Sequence, residues 1–257
     1  MRQLDGVLLR PVRIGNVVLG KGPVIVLTVA GSENPRLLQK AKRSGVRLVE
    51  LRIDRFGRLG GKSLLEKIRV YRRLGFALIA TVRSRREGGG RVLPDRRRIE
   101  IFRSVLPAID AIDLELASRR LVKALVPLAH RRAKRVILSY HNFKSTPSDS
   151  VLLQLVRKAK HEKADLVKLA VTPKKAGDIG RLLLFTRRHR KANLVTIGMG
   201  KRGASSRVLA PLFGSLLTYT FMGHSQAPGQ LGLAATGRLL RQARSVAKQG
   251  TGHYVLR

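Results

Sequence analysis

Val136-Ile-Leu-Ser-Tyr140, Ser148–Lys160 and Leu166-Val-Lys-Leu-Ala170 follow one another in the middle of the chain. The first and third are short, apolar and rich in Val, Ile and Leu, as strands buried on both faces are. The stretch between them repeats its apolar residues at spacings of three and four, with Lys and Arg on the other side, which predicts an amphipathic helix. Ser148 stands where a helix N-cap belongs, because its side-chain oxygen can accept from an otherwise unpaired N–H of the first turn. Strand, helix and strand in this order make a parallel βαβ unit.

The same alternation continues outward in both directions. Further strands are predicted at Val24–Val29, Leu48–Ile53, Ala77–Val82, Ala111–Leu116, Leu194–Ile197 and Leu216–Phe221. Helical stretches are predicted at Pro35–Arg43, Ser63–Arg73, Arg97–Leu106 and Ser118–Arg132. Ser63 with Glu66 reads as a capping box, and Asp95 after Pro94 suits the positive end of a helix dipole. Eight such units in 257 residues predict an α/β fold, a (β/α)8 TIM barrel in a single domain spanning 1–257. An open, doubly wound sheet is the alternative. Residues 1–22 are expected to carry a short N-terminal hairpin that closes the barrel floor.

Composition narrows the function. There are no cysteines, which removes disulfides, thiolate-held zinc, iron–sulfur clusters and a thiol nucleophile. The start, Met1-Arg-Gln-Leu-Asp-Gly6, lacks an apolar leader, and no run of about 18 apolar residues is present. The expectation is a cytoplasmic protein without a membrane span. Lys and Arg number 53 against 15 Asp and Glu, a formal net charge of +38. Such a field attracts polyanions, yet the basic residues are spread along the whole chain, there is no Trp, and aromatics make up 4%. A specific nucleic-acid reader concentrates its base and supplies stacking rings; weak, non-specific polyanion binding is expected instead.

In a barrel of this kind the residues that end the strands point into the catalytic loops. Here they are Glu50 and Arg52, Arg83 with Glu87 in its glycine-rich loop, Asp113 and Glu115, His141 after the fifth strand, Lys168 on the sixth, Met199, Arg207 and Gln230. Such charges are costly to bury unless they pair or bind a ligand, and their mixture suits an anionic, hydroxylated small molecule. Lys168 is the lone cation of an apolar strand. One reading has it snorkelling to solvent; the other has it attacking a carbonyl as an uncharged amine, helped by burial and by nearby Arg52, Arg83 or Arg207. His141 ends a strand where an imidazole can relay protons, with Glu87 available to set its tautomer. His130, His161, His189 and His253 read as solvated, and His224 is undecided. Gly198-Met-Gly200 with Gly203 does not form a dinucleotide fingerprint, no P-loop is present, and no ligand spacing points to a metal.

Taken in order, these segments resemble type I 3-dehydroquinate dehydratase, the class I dehydroquinase of the shikimate pathway. The likeness rests on Val49-Glu-Leu-Arg-Ile-Asp54, Ala80-Thr-Val-Arg83 with Glu87-Gly-Gly89, Ile112-Asp-Leu-Glu115 and Ser139-Tyr-His-Asn-Phe143 with Thr146-Pro147. It continues through Asp165-Leu-Val-Lys168, Met199-Gly200 with Ser206-Arg207, Gly214-Ser-Leu-Leu-Thr218 and Ala227-Pro-Gly-Gln230. The resemblance implies that Lys168 forms an imine with the substrate ketone, His141 moves the protons and Glu87 orients His141. It implies that Arg207 clamps the substrate carboxylate, that Glu50, Arg52, Arg83, Ser225 and Gln230 shape or contact the hydroxyl sites, and that Met199 packs on the ring. It implies a homodimer that needs no cofactor and no metal. Two departures stand out. Gln226 occupies the place where the family often has serine, with Ser225 one residue earlier, and His-Asn-Phe replaces the common His-Asp-Phe. The competing readings are an imine-forming barrel of aldolase type and a basic polyanion-binding protein.

Overall fold

The apolar runs pair in parallel, each strand beside its successor in the chain. The computed structural model describes residues 12–57, 61–223, 225 and 227–250. Its barrel strands are β3 (Val24–Val29), β4 (Leu48–Arg52), β5 (Ala77–Thr81), β6 (Ala111–Glu115), β7 (Arg135–Asn142), β8 (Leu166–Val171), β9 (Leu194–Gly198) and β10 (Leu217–Phe221). All sheet pairings among them are parallel. The ends of the series meet where Leu216 N donates to Leu194 O at 2.9 Å and Thr196 N donates to Ser215 Oγ at 3.0 Å. A doubly wound sheet reverses its strand order at a switch point; here each barrel strand neighbours its successor, and β9 approaches β10 through those two bonds without a paired ladder. The fold is the predicted α/β barrel.

Helices α1 (Pro35–Arg43), α2 (Gly61–Arg73), α3 (Asp95–Val105), α4 (Arg119–Arg131), α5 (Asp149–His161) and α6 (Gly177–Arg188) return the chain between strands. After β9 come two single-turn helices, α7 (Gly200–Gly203) and α8 (Ser206–Leu209), and α9 (Leu233–Gly250) follows β10 and the two-residue strand β11 (Leu231–Gly232). Ser148 caps α5 by accepting from Val151 N. The capping box at Ser63 is not formed, because α2 already begins at Gly61 and Ser63 lies inside its first turn. Ser118 precedes α4 without capping it; its hydroxyl donates to Glu115 Oε2 at 3.0 Å.

Alternation along each strand separates two apolar clusters. Val49 and Leu51, Leu78 and Ala80, Ile112 and Leu114, and Val167 and Leu169 pack outward against the helices. Leu48, Ala77, Ile79, Ala111, Ile137, Leu166, Val195 and Leu217 fill the inside. Lys168 lies between Leu166 and Ala170, both of the inner cluster, so its side chain enters the barrel. An antiparallel pair, β1 (Arg13–Ile14) and β2 (Val17–Val18), lies across the amino-terminal ends of the strands, and its Ile14 with nearby Leu19 completes the inner cluster. Gly15 makes the turn at φ +55°, where a Cβ would press on the Asp110 carboxylate at 2.9 Å. Residues 1–11 of the expected hairpin segment lie outside the described residues.

Candidate active site

Above the apolar floor the inward positions become polar and converge on one cavity. Its volume is about 230 Å³, and it opens at the carboxyl ends of the strands. Of the residues singled out in the sequence, Lys168, His141, Glu87, Glu50, Arg52, Arg83, Met199, Arg207 and Gln230 line it. Ser225 does not. Its side chain is exposed and its hydroxyl donates to Ala227 O at 2.8 Å, which turns it away from the cavity. Gln226, His224 and His253 lie outside the described residues.

Lys168 is 5% exposed. Its Nζ donates to Asp113 Oδ2 at 3.0 Å and to Glu50 Oε1 at 3.4 Å, and it sits 4.0 Å above the centre of the Tyr219 ring. The sequence places Arg52, Arg83 or Arg207 near this amine; the groups that hold it are two carboxylates and an aromatic face. Arg83 reaches the same group from the other side, donating from Nη2 to Asp113 Oδ1 at 2.9 Å and from Nη1 to Ser139 Oγ at 2.7 Å. Ser139 in turn donates to Asp113 Oδ1 at 2.6 Å. Burial opposes ionisation of Asp113, but Arg83 and Lys168 outweigh it and hold the carboxyl well below its usual range. Glu50 accepts from Thr81 Oγ1 at 2.9 Å and Thr28 Oγ1 at 3.3 Å.

His141 belongs to β7 itself instead of following it, because the strand runs on to Asn142 and pairs His141 with Ala170 on β8. In the same register Ser139 lies beside Lys168, so the imidazole stands one inward step above the amine on the neighbouring strand. Nδ1 of His141 lies 2.7 Å from Glu87 Oε2. With the ring N–H donating there, Nε2 keeps a lone pair. Burial, then Arg83 and Lys168, push the His141 pKa well below that of a free imidazole, so it stays neutral. Burial raises the Glu87 carboxyl to about 7.

Arg207, on α8, is 3% exposed and donates from Nε to Gly229 O at 2.8 Å and from Nη2 to Pro228 O at 3.1 Å. No carboxylate faces it among the described residues, and burial lowers its pKa to about 10. A guanidinium held this way on the cavity wall is a ready anion site. Gln230 donates to Thr28 Oγ1 at 3.4 Å. Among the described residues no group of three or more His, Asp and Glu side chains is arranged to hold a metal ion.

A model of the type I 3-dehydroquinase family matches residues 25–246, from the first barrel strand into the last helix. The chain belongs to the type I 3-dehydroquinase family. A 3-dehydroquinate dehydratase of Aquifex aeolicus is 35% identical over 202 residues, 79% of this chain and 89% of that one. One from Methanocella arvoryzae is 35% identical over 209 residues, 81% of this chain and 91% of the relative. Among solved structures, the 3-dehydroquinate dehydratase of Geobacillus kaustophilus superposes with a TM-score of 0.83 at 28% identity, covering 92% of this chain and 97% of that one. No described helix is long and apolar enough to cross a membrane.

Sequence reasoning missed several lining residues, among them Thr28, Arg55, Phe143 and Tyr219. Strand parity was the available signal for Thr28 and Tyr219, since each lies two residues beyond an inward apolar neighbour, Val26 and Leu217. It also missed Arg98, which looks like one of three helix-surface arginines but is fully buried, donating to Val82 O and paired with Glu115.

Proposed function

We propose that this chain dehydrates 3-dehydroquinate to 3-dehydroshikimate through a Schiff base on Lys168. The observation that carries the reading is one buried amine and one neutral, carboxylate-oriented imidazole on adjacent strands of a cavity that also holds a carboxylate-free guanidinium. Lys168 passes one proton to Nε2 of His141, and, still held by Asp113 and Glu50, its freed lone pair adds to the substrate ketone. Loss of water from that adduct gives the protonated imine, an electron sink for the neighbouring C–H bond. Nε2 of His141 removes that proton; the electron pair moves toward the imine nitrogen and returns to expel the hydroxyl, which leaves as water with the proton from His141. Hydrolysis of the imine frees the conjugated ketone and the lysine.

Arg207 binds the substrate carboxylate, Glu50, Arg52, Arg83 and Gln230 contact or shape the hydroxyl sites, and Met199 packs on the ring. Ser225, as oriented, reaches a hydroxyl only if its loop turns. The setting is cytoplasmic, the whole chain acts as one domain, and the assembly is a homodimer. Weak, salt-sensitive association with polyanions accompanies the activity; the groove between α4 and α5, rimmed by Arg119, Lys123, Lys158 and Lys163, supports it.

Purified protein mixed with 3-dehydroquinate should raise the absorbance of the conjugated product without added metal. Borohydride reduction of that mixture should leave the adduct mass on the peptide containing Lys168, and Lys168→Ala should lose both signals. Absence of turnover and of adduct in the unmodified protein would sink the reading.

A further inference from the structure

The loop that brings Glu87 to His141 is gripped at both ends by one carboxylate that does not line the cavity. Asp54 is fully buried, in a short 3-10 turn just after β4. Its Oδ1 accepts from Arg83 N at 3.1 Å and its Oδ2 from Gly90 N at 2.9 Å, two amides flanking the loop. Arg52 completes the clasp, donating from Nε to Oδ1 at 3.0 Å and from Nη2 to Oδ2 at 2.8 Å. The same Nη2 also donates to Gly88 O at 3.1 Å, the carbonyl next to Glu87. We propose that Asp54 is a positioning residue for proton transfer, fixing the loop from Arg83 to Gly90 so that Glu87 bears on Nδ1 of His141.

Four accepted hydrogen bonds use both oxygens, so Asp54 has little left to offer a substrate. Burial opposes its ionisation, but Arg52 and the two amide donors outweigh it and keep the group an anion. Inside the clasp the loop is tight enough to transmit position. Glu87 N and Gly89 N both donate to Ser84 O, at 3.0 and 2.8 Å, and Gly88 N donates to Arg85 O at 3.2 Å. A Cβ on Gly89 would overlap the Arg83 carbonyl, and one on Gly90 would crowd Asp54 O at 3.0 Å, so the loop lies directly on its support. Glu115 holds Ser84 N at 2.8 Å, but among the described residues only Asp54 spans both ends. A carboxylate displaced by about 1 Å loses much of its hold on an imidazole, a change that can cost on the order of a hundred-fold in rate.

The inference rests on the dehydratase reading, and a cycle of Asp54→Asn, Glu87→Gln and the double variant separates the two. Asp54→Asn keeps the side-chain shape but sets an NH2 against one of its present donors. Its kcat should fall roughly ten- to hundred-fold, with KM less affected and with borohydride still labelling Lys168. In the Glu87→Gln background the same substitution should cost less than about three-fold, since residues acting through one another do not add. Equal losses in both backgrounds, or a loss confined to KM, would show that Asp54 serves the substrate through Arg52, and the proposal falls. Amide hydrogen exchange gives a readout independent of turnover. In the unmodified protein Arg83 and Gly90 should exchange slowly, and Asp54→Asn should speed exchange across 83–90 alone. Fast exchange of Gly90 in the unmodified protein overturns the idea even if the variant fails to fold.

Discussion

Burial favours the neutral form of two groups that touch and so moves their pKa values in opposite directions. It keeps His141 neutral and raises Glu87 to about 7, so the pair holds a proton acceptor whose orienting carboxylate titrates near neutrality. The acid limb of kcat should therefore fall as pH drops through about 7, where Glu87 gains its proton, and Glu87→Gln should abolish that limb while lowering the plateau. A pH profile of both proteins checks this. Stability responds in the opposite sense: a carboxyl with a folded-state pKa above its ordinary 4.5 favours the fold when protonated and disfavours it as pH rises through about 7. At about pH 8 the Gln variant should thus melt higher than the parent. Tyr219 offers a second test. Its hydroxyl is buried without a hydrogen-bond partner among the described residues, while its ring supports Lys168. An orphaned hydroxyl costs on the order of 1–3 kcal/mol, so Tyr219→Phe should be as stable or more stable in urea unfolding, with the ring contact kept.

The strands were readable because each is an apolar run between basic helices, and all eight were found within a residue or two of their ends. The limits appear where polarity and backbone pairing part company. The apolar pattern stops at Tyr140, yet pairing with Ala170 and Val171 carries β7 through His141 and Asn142. Arg98 and Asp54 are invisible for a related reason: a charged residue in a basic helix or after a strand reads as solvated until its partners arrive from distant segments. Ser225 is implied by resemblance alone, and its local turn aims it at Ala227. The amino-terminal strand pair is the element least supported by pattern and among the most consequential for packing. Ile14 is fully buried in the barrel floor, so Ile14→Ala should cost about 2–5 kcal/mol in equilibrium unfolding with little change in KM.

Across the molecule, charge divides cleanly between inside and outside. Arg52, Arg83, Arg98, Lys168 and Arg207 are buried with Glu50, Asp54, Asp113 and Glu115, and Glu87 completes the balance at the cavity. Among the described residues the buried charges nearly cancel, so their surplus of base is carried by partly or fully exposed side chains, and nothing in the structure explains the size of the chain's +38. It does make a prediction for an anionic substrate: kcat/KM should decline as ionic strength rises past about 0.1 M while kcat holds, because screening weakens steering and not the chemistry. Stopped-flow or steady-state rates over a salt series measure it.

Among the described residues, the plugged floor leaves traffic a single doorway. Reactant arrives, and water and the unsaturated ketone depart, through one aperture above Lys168, so a lingering product molecule bars its successor. Product added at the outset should therefore slow turnover by occupying the chamber, which initial rates over a product series would show.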